Sequence, residues 1–185
     1  MRMLLGIVML LCTLGATAQF GKNCELTQYK INLINPGLEF EKGLGVNTTI
    51  NIRAGLQIAL DPAVAEPLED LAFLPAAVVQ YRYYYNFEQR ARNGKQIYGN
   101  SANYIAPAAA IFTPGTRTID NMEVGGIIAY GGLVTGLQRS YSSGFNFSFD
   151  IGAAYYVGPF EDGIYPVANL SIGWIVNEKR WCVGR

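Results

Sequence analysis

The alternation of apolar with small or polar residues dominates this sequence, and it is most regular in the segment GFNFSFDIGAAYYVG, residues 144–158. Every second side chain there is apolar, namely Phe145, Phe147, Phe149, Ile151, Ala153, Tyr155 and Val157. A period of two residues is typical of a β-strand with two chemically different faces. At about 3.3 Å per residue, the segment is long enough to cross a bilayer with tilt. We therefore predict a transmembrane strand whose apolar face contacts lipid.

Seven further segments show the same alternation and are predicted to be strands. They are residues 28–35, 38–41, 46–60, 76–87, 101–112, 123–139 and 166–177. The apolar face of one of them carries Tyr81, Tyr83, Tyr85 and Phe87. Crowded aromatic side chains at one end of a strand are typical of the girdle at a membrane interface.

Two of the strands have an ambiguous facing, because alanine in 101–112 and glycine in 123–139 do not distinguish the faces. For the second of them we assign Ile127, Leu133 and Leu137 to the outside. Residues 61–74 interrupt the alternation with prolines and acidic residues and are predicted to form a long surface loop. Residues 88–100 are predicted to form a charged, solvated turn.

Eight predicted strands lead to an all-β fold, a closed antiparallel up-and-down eight-stranded transmembrane β-barrel. An open sheet would leave unpaired backbone groups in hydrocarbon, at a cost of several kcal/mol each, so a sheet in a membrane must close. An even number of strands is typical of single-chain outer-membrane barrels and puts both termini on the periplasmic side. The loop 61–74 then lies outside the cell.

Charged residues on the inward faces are the candidate site. They are Lys30, Glu39, Glu41, Arg53, Arg82 and Asp150. Eight strands enclose an interior just wide enough for side chains to fill it. Three bases and three acids in such an interior should pair, because an unpaired charge would be costly. We expect a charge network that seals the lumen, and a narrow gated pore or a proton-responsive site is the alternative.

The first 18 residues have the features of a cleaved signal peptide, with a positive start, a short apolar core and the motif Ala16-Thr17-Ala18. We therefore expect residues 19–185 to form the barrel domain. Export would place Cys24 and Cys182 in an oxidising compartment, where they can pair if the fold brings the chain ends together. Two unrelated thiols in the terminal tails are the alternative.

Composition narrows the functional classes. The 185-residue chain has no formal net charge, which gives no sign of nucleic acid as a partner, and it contains no histidine. Without histidine, catalytic triads and the commonest metal ligand are missing, so we expect neither an enzyme nor a bound cofactor or metal. A soluble lipocalin-like barrel that binds an apolar ligand remains an alternative, and it would require the two faces to be reversed.

Four segments carry a resemblance to a known family. They are NLINPGLEFEKGLG, YRYYYNFEQRARNGK, SANYIA and GLQRSY, spread over most of residues 19–185. In pattern, the chain resembles the small outer-membrane β-barrel proteins common in Bacteroidetes. One feature departs from such barrels, which commonly end on an aromatic residue that guides insertion. This chain continues past Trp174 to Trp181 and ends on Arg185. Either one of these two tryptophans serves as an internal insertion signal, or the predicted position of the final strand is wrong.

The expected role is a structural, adhesive or binding one in the cell outer membrane. Outer-membrane lipid and lipopolysaccharide would surround the protein, which is expected to be a monomer. An extracellular ligand or partner would bind through the loops.

Overall fold

Strands make up most of the chain that the computed structural model describes, which is residues 27–58, 73–113, 117–119, 122–124, 126–159 and 162–177. Ten strands follow one another in the order β1 (Thr27–Ile34), β2 (Gly37–Gly43), β3 (Thr48–Ile58), β4 (Phe73–Tyr84), β5 (Asn103–Phe112), β6 (Arg117–Ile119), β7 (Met122–Val124), β8 (Ile128–Ser140), β9 (Phe145–Val157) and β10 (Gly163–Ile175). Between β4 and β5 lie the helix α1 (Phe87–Arg92) and a 3-10 helix (Tyr98–Asn100).

Eight of these strands form one ring-like sheet in the order β1-β10-β9-β8-β5-β4-β3-β2. All of its pairs are antiparallel, β5 pairs with β8, and the first strand of the chain pairs with the last. The prediction of eight antiparallel up-and-down strands is confirmed. The short strands β6 and β7 form a separate hairpin, so the predicted strand 123–139 begins only at Ile128.

The ring has two different sides. We call the side where β1 begins and β10 ends the terminus side, and the opposite side the loop side. The two-residue turn Asn35–Pro36 and the connection between β9 and β10 lie on the loop side. Among the described residues, no helix is long and apolar enough to cross a membrane.

The alternation of the sequence becomes an alternation of faces. On β1, Tyr29 and Ile31 point out and are 51% and 45% exposed, whereas Lys30 between them is 1% exposed. On β9, Ile151 is 50% exposed and Asp150 is 1% exposed. Bulky apolar side chains thus cover the outside of the ring, and the charged side chains on these two strands point into its interior.

The two ambiguous strands acquire a definite facing. Buried side chains of β5 are Tyr104, Ala106, Ala108 and Ala110. On β8, Tyr130, Val134 and Gln138 are buried, while Leu133 is 54% exposed, as assigned. The loop-side part of the interior is therefore lined by small apolar and tyrosine side chains.

The segment after β4 differs from the predicted solvated turn. Phe87, which the alternation places outside, is buried because α1 begins there, and its ring packs on Tyr84 with the centroids 4.9 Å apart. Beyond α1 the chain returns to the ring, and Gly99, Asn100, Ser101 and Ala102 are buried. Gly99 has φ +57° and lies so close to Ser140 that a Cβ atom would come within 2.5 Å of its side chain.

Neighbouring glycines on β8 provide a test of the packing. A Cβ atom on Gly132 would lie 2.3 Å from the carbonyl oxygen of Ala153 on β9, whereas one on Gly131 would meet nothing within 4 Å. We expect Gly132→Ala to lower the free energy of unfolding by about 1–3 kcal/mol, because strand backbones must separate to admit the methyl group. Gly131→Ala is the matched control and should be neutral or slightly stabilising. Urea unfolding of the two variants checks this, and equal stabilities would contradict the close contact.

Several sequence-based predictions lie outside the described residues. They are the signal peptide 1–18, the cysteines Cys24 and Cys182, Trp181, Arg185, and all but the last two residues of the loop 61–74. The signal peptide and the pairing of the two cysteines stay predictions.

Candidate functional site in the interior of the ring

A cluster of buried charges lies in the terminus-side half of the interior. Lys30 on β1 faces Glu39 on β2 in the strand register, and Glu41 follows two residues later on the same inward face. Arg82 reaches the cluster from β4. All four side chains are 0% exposed. The period of two explains why Glu39 and Glu41 point the same way.

Lys30 is the centre of the cluster. Its Nζ donates to Glu39 Oε1 at 2.9 Å, to Glu41 Oε2 at 2.7 Å and to Gln138 Oε1 at 3.0 Å. An ammonium group has three N–H donors, so these three acceptors use its full capacity. The ammonium charge is therefore both paired and hydrogen-bonded.

Arg82 completes the charge balance of the cluster. Its Nη1 lies 3.7 Å from Glu39 Oε1 and 3.8 Å from Glu41 Oε2. It donates to Gln138 Oε1 at 2.8 Å through Nη1 and to Gln80 Oε1 at 2.8 Å through Nε. The guanidinium carbon also lies 4.6 Å from the centre of the Tyr104 ring, in cation–π contact. Two bases and two acids thus neutralise each other away from water.

Glu41 connects the cluster to the returning segment. Its Oε1 accepts from the hydroxyl of Tyr84 at 2.7 Å and from Asn100 Nδ2 at 2.8 Å. Gln138 Nε2 donates both to Glu41 Oε2 at 3.1 Å and to the carbonyl oxygen of Gly99 at 2.8 Å. Residues 99 and 100 are thereby held across the terminus side of the ring.

The remaining two predicted charges are not part of this cluster. Asp150 accepts from three neutral donors, Asn169 Nδ2 at 2.8 Å, the Tyr104 hydroxyl at 3.0 Å and Gln80 Nε2 at 3.3 Å. Arg53 is 5% exposed, and neither its Nη1 nor its Nη2 has a hydrogen-bond partner among the described residues. The structure therefore brings together four of the six predicted charges and leaves Asp150 and Arg53 outside the ion pairs.

The interior also contains polar residues that the sequence-based reasoning did not single out. Gln138 bridges Lys30, Arg82 and Glu41, and Asn100 caps Glu41. The inward facing of Gln138 was not predicted, because its strand is rich in glycine and the two faces could not be distinguished. A sequence signal did exist, since Tyr130, Val134 and Gln138 share one parity while Leu133 and Leu137 share the other.

A cleft lies beside Arg53 in the loop-side half. It is lined by Asn35, Arg53, Gly55, Leu56, Gln57, Ala76 and Val78, and it has space for about one water-sized group. Among the described residues, no group of three or more His, Cys, Asp or Glu side chains could hold a metal ion.

Comparisons with protein-family models, with curated proteins and with solved structures gave no match.

Proposed function

We propose that the chain is a bacterial outer-membrane protein that spans the lipid as a closed eight-stranded β-barrel with a filled lumen. It is not an enzyme, and it serves a structural, adhesive or binding role through its extracellular loops. The observation that carries the proposal is the reversal of faces, with apolar side chains outside and charged side chains inside. Soluble proteins place these two classes of side chain the other way round.

The height of the apolar surface supports a membrane location. Phe145 and Tyr155 point outward from β9 and are ten residues apart. At about 3.3 Å per residue and a strand tilt of about 40°, they would be separated by about 25 Å along the barrel axis. This is the height of the apolar band of outer-membrane barrels.

Exposed aromatic side chains lie at both edges of this surface. On the terminus side they are Tyr29, Tyr83, Tyr85, Tyr141 and Trp174. On the loop side Tyr155 is 50% exposed on the outer face, whereas Tyr165 shares the inward parity of Val167 and contacts Tyr156. Rings of tyrosine and tryptophan are typical of the two interfaces of a membrane with water. Outer-membrane lipid and lipopolysaccharide would surround a monomer placed in this way.

A lipocalin-like protein is the rival candidate, and it would need an apolar cavity within a polar exterior. The terminus-side half of the described interior has the reverse character, because it holds Lys30, Glu39, Glu41 and Arg82. The cleft beside Arg53 is too small for an apolar ligand. Both observations favour the membrane protein.

Cell fractionation and gel migration test the proposal. We expect the protein in the outer-membrane fraction, soluble only with detergent and rich in β-structure by circular dichroism. An outer-membrane barrel should also migrate differently in a detergent gel before and after boiling. A freely soluble protein, or identical migration of boiled and unboiled samples, would contradict the proposal.

The filled lumen predicts that the protein does not conduct ions. Because Lys30, Arg82, Glu39 and Glu41 are fully buried and paired, and because the buried residues 99 and 100 are hydrogen-bonded to this cluster, we expect no stable conductance steps in planar bilayers. Reproducible single-channel steps from the purified protein would instead favour the gated pore. A mock preparation from cells that lack this protein, purified in the same way, is the control for contaminating channels.

A further inference from the structure

Next to Arg53, the strands β1 and β2 extend less far toward the loop side than their neighbours in the ring. The turn Asn35–Pro36 ends β1 and β2 at the level of Gly55 on β3, where Gly37 faces Gly55 and the amide of Leu56 donates to the carbonyl oxygen of Pro36 at 2.8 Å. On the other side of this turn, β10 continues to Gly163, but β1 pairs only with its residues 172–175. No described strand pairs with residues 163–171 of β10 on the side that faces the turn.

Arg53 lies on the terminus side of the point where β1 and β2 end. In the register it stands between Glu39 on β2 and Val78 on β4, and its side chain lines the cleft described above. The amides of Asn35 and Gln57 line the same cleft. The Glu39 carboxylate and the phenol of Tyr130 are both within electrostatic range of the guanidinium, although neither forms an ion pair or hydrogen bond with it. The Asn35 amide already donates to the carbonyl oxygen of Leu170, and the Gln57 amide donates to Asn169, so the group of the cleft that is left to bind a ligand is the Arg53 guanidinium.

Neither Nη1 nor Nη2 of Arg53 has a hydrogen-bond acceptor in the part of the chain that the structure describes, although both nitrogens are buried. Its register neighbour Glu39 already accepts from Lys30, Asn32 and Asn51. Asp150 already accepts from Gln80, Tyr104 and Asn169. Neither carboxylate forms an ion pair with Arg53.

A buried cation without acceptors is costly, because the hydrogen bonds that it made to water are not replaced. An anion restores them, and a guanidinium binds a carboxylate through two parallel N–H···O bonds. The enclosed part of the cleft takes a group about as large as a water molecule, so the anion must be small, and the rest of a carboxylate would lie on the open side of the cleft. The short turn beside the cleft offers the direction of entry.

We propose that Arg53 binds a small monovalent anion, either a halide or the carboxylate of a short organic acid, in the cleft beneath the turn Asn35–Pro36. The site is distinct from the charge cluster around Lys30, in which Lys30 and Arg82 both form ion pairs with Glu39 and Glu41, although Arg82 Nη2 has no hydrogen-bond partner among the described residues. It gives the loop side of the interior a binding function that does not depend on whether the ring lies in lipid.

Thermal unfolding of the full folded chain in buffer without small anions tests the proposal. Sodium bromide probes the halide and sodium formate probes the carboxylate, each at constant ionic strength with sodium sulfate, whose anion is larger and divalent. A ligand of the folded state raises Tm in a saturable manner. We expect a rise of a few degrees with at least one of the two salts, and the salt that acts identifies the ligand.

Two arginine variants locate the effect. Arg53→Gln should abolish the rise, whereas Arg139→Gln should retain it, because Arg139 lies on the terminus side and donates to Asn103 and to a backbone carbonyl. No saturable rise in the wild-type protein, or an equal rise in Arg53→Gln, would overturn the proposal. The titration uses whichever medium holds the folded chain, aqueous buffer or neutral detergent, so failure of the membrane proposal is seen separately.

A second measurement is independent of variant stability. Anomalous diffraction from wild-type crystals grown with bromide should show a peak in contact with the Arg53 guanidinium. If formate alone acts in the titration, the corresponding electron density in formate-grown crystals replaces it. Water alone at this position in both crystals would overturn the proposal.

Discussion

Glu41→Ala is expected to lower the free energy of unfolding by about 3–5 kcal/mol, the cost of breaking a buried ion pair by removing one partner. The carboxylate of Glu41 accepts hydrogen bonds from Lys30, Tyr84, Asn100 and Gln138. The truncation leaves these donors without their acceptor in an interior that water does not reach. It also leaves two bases, Lys30 and Arg82, facing a single acid.

Chemical unfolding of the purified protein in lipid or detergent measures this loss. Glu88→Ala on α1 is the control, because the side chain of Glu88 is 55% exposed and forms a surface pair with Arg92. Such pairs contribute at most about 1 kcal/mol. If both variants lose the same stability, the buried cluster does not stabilise the fold in the way the contacts indicate.

A double-mutant cycle separates the pair from its surroundings. Lys30→Met and Glu41→Leu each leave one charge of the cluster uncompensated, whereas the double variant removes both. We expect the double variant to lose less stability than the sum of the two single losses. Strict additivity would show that Lys30 and Glu41 do not interact, despite the distance of 2.7 Å between them.

Ile151→Arg is expected to cost about 2–4 kcal/mol in a bilayer, the value for arginine on the lipid face of a barrel near the midplane. Ile151 is 50% exposed on the outer face of β9 and lies near the middle of the span between Phe145 and Tyr155. The guanidinium would have to be placed in hydrocarbon or bend toward an interface. The loss in the free energy of unfolding therefore shows whether lipid or water surrounds the outer face of the ring.

Val157→Arg is the matched control on the same strand. Val157 is also 50% exposed, but it is the last residue of β9. The cost at an interface is about 0–1 kcal/mol. Unfolding titrations in lipid vesicles compare the two variants. Equal and small losses would place the outer face in water and would remove the main support for the membrane proposal.

The facing of regular strands could be predicted from the sequence, because a period of two fixes which side chains share a face. This worked for β1, β3 and β9, where bulky apolar residues alternate with polar ones. It was weaker for β5, because the three consecutive alanines Ala108, Ala109 and Ala110 place the same side chain on both faces at the centre of the alternation. There the facing follows from pairing with β4 and β8, which is a property of the whole ring.

The sequence predicts which charged side chains lie inside the ring better than it predicts the contacts that they form there. All six charges could be assigned to the interior from alternation, but the level of each along the axis depends on strand register. Arg53 faces Glu39 in the register and still forms no ion pair with it, because Lys30, Asn32 and Asn51 already contact that carboxylate. The role of Asn100 depends on a chain reversal after α1 that no alternating pattern indicates.

The pairing of β1 with β10 has a consequence for the order of folding. This pair comprises only four residue pairs and contains an irregularity between Asn32 and Ile34, whereas β9 and β10 share twelve residue pairs. It also joins segments that are far apart in the chain, so its formation carries the largest loop-closure entropy of any pair in the ring. Hairpins between chain neighbours can form before it with little entropic cost. We therefore expect β1 and β10 to join last during assembly, and the growing sheet to present both strand edges until that step.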